Sequence, residues 1–100
     1  MKEVELGAIT CTRGIDEEFK KNPKFYNFAM NCLFQRYLNN DWGEMCAEDK
    51  CLNDSAVENG DDRIFASYEI PEELGMLDEK IWIITEWDRS VTTILFPEEY

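Results

Sequence analysis

The apolar positions in the last part of the chain fall in two short runs, residues 81–84 and 91–96. Both runs are rich in β-branched and aromatic side chains, a composition typical of strands. The residues between them, 85–90, are mostly polar and include Asp, Arg and Ser, which favour a tight turn. This pattern predicts a closing β-hairpin within residues 80–100, and the rest of the chain can be placed around it.

Two earlier segments are also predicted to be strands. Residues 63–70 alternate, so that one face of the strand is apolar and predicted to lie in the core. Residues 3–12 alternate only in part, but their β-branched residues favour a first strand. Residues 71–79, which are acidic and contain Gly75, are predicted to form a loop before the hairpin. The core face of the second strand comprises Ile64, Ala66, Tyr68 and Ile70.

Three helices are predicted between the first strand and the second. In residues 15–21 the acidic side chains precede the basic ones, which complements a helix dipole. Asn22 and Pro23 suit the start of a second helix that runs to about Asn39. A third, more polar helix is predicted over residues 44–58. The expected buried positions of the second helix are Tyr26, Ala29, Met30, Leu33 and Tyr37, and those of the third are Met45, Leu52, Ala56 and Val57.

The order of these elements predicts an α+β fold in two layers. Short connections between the last three strands favour an antiparallel meander, and the helices that precede them must cover one face of this small antiparallel sheet. We expect the first strand to join the sheet at an edge. With 100 residues and no long linker, residues 1–100 should form a single domain.

The charge of the chain is strongly negative and unevenly placed. Ten basic and 22 acidic residues give 10 − 22 = −12. Residues 1–40 hold six basic and five acidic residues, a sum of +1, whereas residues 41–100 hold four and seventeen, a sum of −13. Clustered Lys and Arg, which proteins need to bind nucleic acid directly, are absent. The acidity is interpreted either as attraction toward basic proteins or as a means of keeping a small protein soluble.

The four cysteines and the start of the chain add few constraints. Cys11, Cys32, Cys46 and Cys51 form no Cys-x-x-Cys pair and the chain has no His, so no zinc site is predicted. We expect the thiols to be reduced and mostly buried. Neither a secretory signal nor a membrane-spanning run is predicted, so a cytoplasmic protein with no membrane partner and no cofactor is expected.

The second half of the chain carries a series of short motifs: Asp41-Trp42-Gly43, Glu48-Asp49, Asn53, Ala56, Asn59-Gly60, Arg63, Ser67-Tyr68, Ile81-Trp82-Ile83-Ile84-Thr85-Glu86, Asp88-Arg89-Ser90, Thr92-Thr93-Ile94-Leu95 and Pro97-Glu98-Glu99-Tyr100. In these motifs it resembles a family of small proteins from bacterial plasmids, phages and integrated elements. The resemblance covers about residues 37–100. The family usually has Gly before its Asp-Trp-Gly and often a His a few residues earlier, whereas this chain has Asn40 and Tyr37 there. Residues 72–79 also replace a shorter turn. The resemblance implies a mobile-element setting but gives no mechanism.

Three small groups of residues have both a chemical and a structural interpretation. Residues 85–92 hold Glu86 and Arg89, which as base and oxyanion stabiliser would suit a metal-independent nuclease. The alternative is that these are turn residues, with Asp88 and Ser90 bonded to local backbone and Arg89 paired with Glu86. Asp61 and Asp62 with Glu58 are either a weak metal site or a solvated turn, and the spacing of a calcium loop is missing. Trp42 is either an exposed partner anchor or a core residue at the end of the helix.

The leading functional hypothesis is a non-catalytic acidic binding protein from a phage or mobile element. It would inhibit a basic, nucleic-acid-handling host defence protein in the manner of anti-CRISPR or anti-restriction proteins, with carboxylates imitating phosphates. It is expected to be a monomer or small homo-oligomer. The alternatives are a small nuclease or toxin-like enzyme that uses residues 85–92, and an accessory regulatory protein of the element. The predicted partner-binding residues are Asp41, Trp42, Asp61, Asp62, Glu72, Glu73, Asp78, Glu79, Glu86, Asp88 and Arg89.

Overall fold

The computed structural model describes residues 4–100, which contain four strands and four α-helical segments. The strands are β1 (Ala8–Cys11), β2 (Ile64–Glu69), β3 (Lys80–Thr85) and β4 (Val91–Leu95). The helices are α1 (Arg13–Lys21), α2 (Pro23–Asn27), α3 (Phe34–Leu38) and α4 (Ala47–Asn59). A π-helical segment, Phe28–Leu33, joins α2 to α3 without a break, and we call residues 23–38 the central helix. Short 3₁₀ turns lie at Glu72–Leu74 and Pro97–Glu99.

The strands form one mixed sheet in the order β1-β4-β3-β2. The last three strands are an antiparallel meander, with Ile83 opposite Ala66 on one side and Ile94 on the other. β1 pairs with β4 in parallel, which places it at the edge of the sheet. The predicted α+β class is confirmed, but the sheet is mixed because β1 arrives through a crossover from the other end of the chain. The expected strand over residues 3–12 is shorter than predicted, and Glu3 lies outside the described residues.

One face of the sheet and the inner sides of the helices form the core. The alternating apolar residues predicted for β2 are all buried, and Ile81, Ile83 and Ile94 continue the same face across β3 and β4. Opposite them lie Ile15 of α1 and the buried side of the central helix. The C-terminal turn adds Phe96, whose ring stacks on that of Phe25 at 6.0 Å between centroids.

The central helix buries Phe25, Ala29, Leu33 and Tyr37, which are spaced by four residues, and also Phe34, which follows Leu33 in the chain. In a regular α-helix a residue four positions on is rotated by about 40°, so the group would drift by about 120°. The π segment widens the turn, because the Phe34 N–H donates to the carbonyl of Ala29, five residues back. The wider turn keeps the four residues on one face.

Two predicted core positions are wrong. Tyr26 is 46% exposed because the π segment shifts the buried face to Phe25. Leu52 is 62% exposed, whereas Ala56 and Val57 are buried as predicted and Asn53, three and four positions before them, shares their inner face.

The two edges of the sheet differ in how their backbone groups are satisfied. Along β2, the Asn53 side chain donates to the Phe65 carbonyl at 2.7 Å and accepts from the Phe65 N–H at 3.1 Å. Ser67 is bridged to Gly43, and the Glu44 carboxylate accepts from the Glu69 N–H. Gly43 has φ +76°, and a Cβ there would lie 2.1 Å from the Ser67 carbonyl oxygen, so only glycine fits. β1, by contrast, exposes Ala8, Ile9 and Thr10.

Candidate partner-binding surfaces

The predicted acidic residues gather mainly in two groups at opposite ends of the sheet. The first, which we call the turn-end group, lies beside the β3–β4 turn and the entry to β2. The second, the loop-end group, lies in the connection between β2 and β3. β3 separates them by five residue steps, or about 17 Å at the usual strand rise. The turn-end group is Asp61, Asp62, Glu86 and Asp88, and the loop-end group is Glu72, Glu73, Asp78 and Glu79.

Few of these carboxylates are neutralised by nearby cations. Among residues 4–100, three ion pairs lie within α1, and a fourth joins Arg36 to Asp41 at 2.7 Å. In the half that carries −13, the Arg63 guanidinium donates to the Tyr100 hydroxyl, and Arg89 donates to backbone carbonyls. The acidic half therefore presents largely uncompensated negative charge to solvent.

In the loop-end group, carboxylates also crowd one another. Burial raises the pKa of Asp78, and a hydrogen bond with Glu98 together with the charges of Glu98 and Glu99 raises it further. Asp78 and Glu98 border a shallow depression between residues 77–80 and the C-terminal turn. A cation entering this depression would relieve the repulsion between the carboxylates.

Asp41 and Trp42 belong to the structural frame of the β2 edge. Trp42 is 2% exposed, so the interpretation as an exposed partner anchor is wrong and the alternative, a core residue at the end of the helix, is confirmed. Its ring packs edge-on against Tyr37, and its indole N–H donates to Asp54 at 2.9 Å. Asp41 accepts two hydrogen bonds from Arg36 and one from the Gly43 N–H, which hold the pKa of its carboxyl below the usual value.

The β3–β4 turn is held by its own polar side chains. Asp88 accepts from both the backbone N–H and the hydroxyl of Ser90, and these bonds lower the pKa of Asp88. The sequence-based expectation that Asp88 and Ser90 bond local groups is confirmed. Arg89 does bond to Glu86, but through the backbone carbonyl and not the carboxylate that was expected.

Arg89 has a wider structural role that the sequence did not reveal. Its guanidinium also donates to the carbonyls of Ala56, at 2.7 Å, and of Trp87 and Asp62. The side chain thus joins the end of α4, the loop before β2 and the turn. Because its donors are used internally, Arg89 is a less suitable partner contact than predicted.

Thr85 and Thr92, the outer members of the proposed catalytic set, are fully buried. The Tyr37 hydroxyl lies 2.7 Å from Thr85 Oγ1, which lies 2.8 Å from Thr92 Oγ1. Thr92 donates to the Leu6 carbonyl at 2.7 Å, and since it has a single hydroxyl proton, Thr85 must donate to Thr92 and Tyr37 to Thr85. Burial raises the pKa of Tyr37 well above its usual value.

The outer face of the sheet, away from the helices, is a feature that the sequence analysis missed. Phe65, Trp82 and Tyr100 form an edge-to-face aromatic series, with centroids 4.7 and 5.7 Å apart. Beside it lies a groove of about 450 Å³ lined in part by Arg63, Ile84 and Glu86. The signal was present in the sequence, because β2 and β3 carry large apolar residues on both faces. The groove and the turn-end group share Glu86, so apolar and acidic surfaces meet there.

The structure also bears on the expectations for the cysteines, for metal binding and for a membrane span. Cys32, Cys46 and Cys51 are exposed and Cys11 is half-buried, so the expectation of mostly buried thiols is wrong, although all four are free. Within residues 4–100, no three Cys, Asp or Glu side chains are grouped so as to hold a metal ion. No helix in the same part of the chain is both long and apolar enough to cross a membrane.

Comparisons with known proteins add no assignment. No protein-family model, curated protein or solved structure matches this chain. The resemblance to mobile-element proteins therefore stays a prediction.

Proposed function

We propose that this chain is a non-catalytic acidic binding protein of a phage or mobile element that blocks a basic, nucleic-acid-handling defence protein in the host cytoplasm. The observation that supports this most directly is the uncompensated charge of the second half. Eight of its seventeen carboxylates lie in the two groups at the ends of the sheet, and within residues 4–100 the side-chain ion pairs described above involve Asp41 of this half and three acidic residues of α1. Such a surface attracts a positively charged groove and disfavours nucleic acid.

The positions of the two acidic groups suggest how a partner would contact this protein. The two acidic groups lie beyond the two ends of β3, a strand about 17 Å long, and so present two separate negative regions to one partner. The aromatic outer face lies between them and offers apolar contact area. In this arrangement the charges would govern the rate of association, and the apolar contacts the rate of dissociation.

The experiment begins with capture of partners from a bacterial lysate and continues with association kinetics against the recovered protein across a salt series. The charge of the turn-end group is reversed by Asp61→Lys with Glu86→Lys. The charge of the loop-end group is reversed by Glu72→Lys with Glu73→Lys. The matched control, Glu17→Lys with Glu18→Lys, makes the same charge change in α1. We expect slower association for at least one end, a small effect for the control, and weaker binding as salt rises.

A final measurement tests inhibition. The recovered protein should lose affinity for its nucleic acid when this chain is added, because both would occupy the same basic surface. A flat salt response, equal effects of all three double reversals, or undiminished nucleic-acid binding would contradict the proposal. Any of these results would indicate that the acidic residues serve only to keep the protein soluble.

The nuclease alternative gains no support from the polar groups of the turn. Thr85, Asp88, Arg89, Ser90 and Thr92 all have hydrogen-bond partners inside the protein. Their arrangement is explained by the turn and the core that they hold together.

A further inference from the structure

Within residues 4–100, no strand pairs with the outer edge of β1, and this edge lacks the devices that usually protect an exposed strand edge. Natural edges are blocked by charged side chains, proline, bulges or covering segments. Residues 6–12 contain neither a charged residue nor a proline. At the opposite edge β2 is covered by Asn53, Gly43 and Glu44. The contrast within one sheet indicates that the β1 edge is left available for pairing.

The hydrogen bonds of β1 show which of its backbone groups are available. The Ala8 N–H donates to the Ser90 carbonyl, and the Thr12 N–H donates to the Ile94 carbonyl, both at 3.1 Å. In a parallel pair alternate residues face the neighbouring strand, so Ala8, Thr10 and Thr12 face β4. The N–H and carbonyl groups of Ile9 and Cys11 therefore point away from the sheet. Gly7, at φ +61°, and α1, which begins at Arg13, limit the edge on either side.

We propose that this edge pairs with the same edge of a second copy of the chain, in an antiparallel arrangement with a two-fold axis between the two Thr10 residues. In that register Ile9 of each copy lies opposite Cys11 of the other. Each such pair exchanges two hydrogen bonds, giving four in total. Centring the axis on Ile9 or on Cys11 would leave part of the edge unpaired, so the Thr10 register uses the available groups best.

Charge favours a second copy over an acidic or a basic partner strand at this edge. Residues 6–12 are neutral, and the six charged side chains of α1, which follows β1, sum to zero. Pairing here joins the near-neutral first parts of two chains. The interface is small, so we expect a weak dimer that forms between about 10 µM and about 1 mM.

The two chains each carry −12, so salt should strengthen this dimer by screening their repulsion. This is the opposite of the salt effect expected for a basic partner. Failure of the dimer would therefore leave the proposed function unaffected, and loss of partner binding would leave the dimer unaffected.

The first test is the average molar mass from sedimentation equilibrium under reducing conditions, at low and high salt. The mass should rise from 11.8 kDa toward twice that value with concentration, and more steeply at high salt. Ile9→Pro removes an outward N–H without removing a bond to β4, so it should lower the association constant at least tenfold. Ile9→Val retains the N–H and serves as the control. A mass of one chain at every concentration, or a dimer unaffected by Ile9→Pro, would overturn the proposal.

A second test fixes the register and does not depend on the proline variant. In a background of Cys11→Ala, Cys32→Ser, Cys46→Ser and Cys51→Ser, Thr10→Cys would place the two introduced thiols at a close pair, with Cα atoms about 4.5 Å apart. Mild oxidation should then give a cross-linked dimer. Ala8→Cys would leave its two thiols about 14 Å apart and should not cross-link at the same rate. Equal cross-linking of the two variants would overturn the register and the edge pairing with it.

Discussion

At the scale of single residues, Arg89 shows how one side chain can fix several segments. Its backbone has φ +60°, a conformation that costs a non-glycine residue free energy. The guanidinium offsets this cost by bonding carbonyls from α4, the loop before β2 and the turn itself. Glycine, the usual residue at such a position, would relieve the backbone but leave these carbonyls without a donor.

Arg89→Lys should lower the free energy of unfolding by about 1–3 kcal/mol. A lysine ammonium cannot reach carbonyls on three segments as the planar guanidinium does. The measurement is urea denaturation followed by circular dichroism. Trp87→Ala is the control in the same turn, since Trp87 is 63% exposed, and it should change stability by less than about 0.5 kcal/mol. Equal effects of the two variants would show that the guanidinium bonds contribute little.

Thr85→Val should cost about 1–3 kcal/mol, because it removes the acceptor of the buried Tyr37 hydroxyl while keeping the shape of the side chain. Adding Tyr37→Phe removes the donor as well. The double variant should therefore be less destabilised than the sum of the two single variants, by at least about 0.5 kcal/mol. Strict additivity in the denaturation measurements would mean that the two hydroxyls do not interact in solution.

At the scale of elements, the central helix shows that hydrophobic periodicity can predict a helix and still assign the wrong residues to its buried face. The sequence predicted a helix from Pro23 to about Asn39, and the structure has a continuous helix over residues 23–38. A period of 3.6 residues assigned Tyr26 to the core, whereas the buried series that runs from Phe25 to Tyr37 has a spacing of four. The reason is the π segment, which depends on how the helix packs and leaves no composition signal. Trp42, by contrast, could be assigned either way from sequence, and only packing decides that it is buried.

The π segment predicts an unusual tolerance to deletion. Removing Asn31, an exposed residue within it, should convert the wide turn into a regular α-helical one and leave Phe25 and Tyr37 on the same face. Removing Gln35, an exposed residue of α3, should instead rotate Tyr37 by about 100° relative to the preceding turns. We expect cooperative thermal unfolding for the first deletion and a large loss of stability for the second. Similar melting curves for both would show that the π segment does not set the buried face.

The link between α1 and the C-terminal turn should depend on pH. Burial would raise the pKa of Glu99, but hydrogen bonds from Thr12, Phe96 and Gly14 outweigh it and hold the pKa below its ordinary value of 4.5. A carboxyl with a depressed folded-state pKa stabilises the fold above that ordinary value, and the contribution is lost as pH falls through the folded-state pKa.

Glu99→Gln should therefore lower the melting temperature most near pH 7, and the difference from wild type should shrink below about pH 4. Glu98→Gln, which removes the same negative charge from the same turn, serves as the comparison. A difference that does not vary with pH would indicate that the carboxylate charge is unimportant for this link.

At the scale of the whole molecule, the fold class and the antiparallel meander could be predicted from the sequence. The pairing of β1 and the arrangement of the surface residues could not. Alternation in residues 63–70 and the apolar runs of the hairpin gave the meander because each strand has one face in the core. The parallel pairing of β1 needed contacts between residues about 80 positions apart, which no local pattern encodes. The acidic residues were correctly found in the second half, yet their division into two groups follows from where the strands end.

The hydroxyls of Tyr37, Thr85 and Thr92 cross the molecule from the central helix, through two strands, to the segment before β1. Hydroxyl protons normally exchange with water too quickly to give separate nuclear magnetic resonance signals. These three are buried and directed along one line, so they should exchange only when helix and sheet separate, which requires unfolding of the core. Their resonances would then report global opening of the protein without any label, and they should disappear together as denaturant is added.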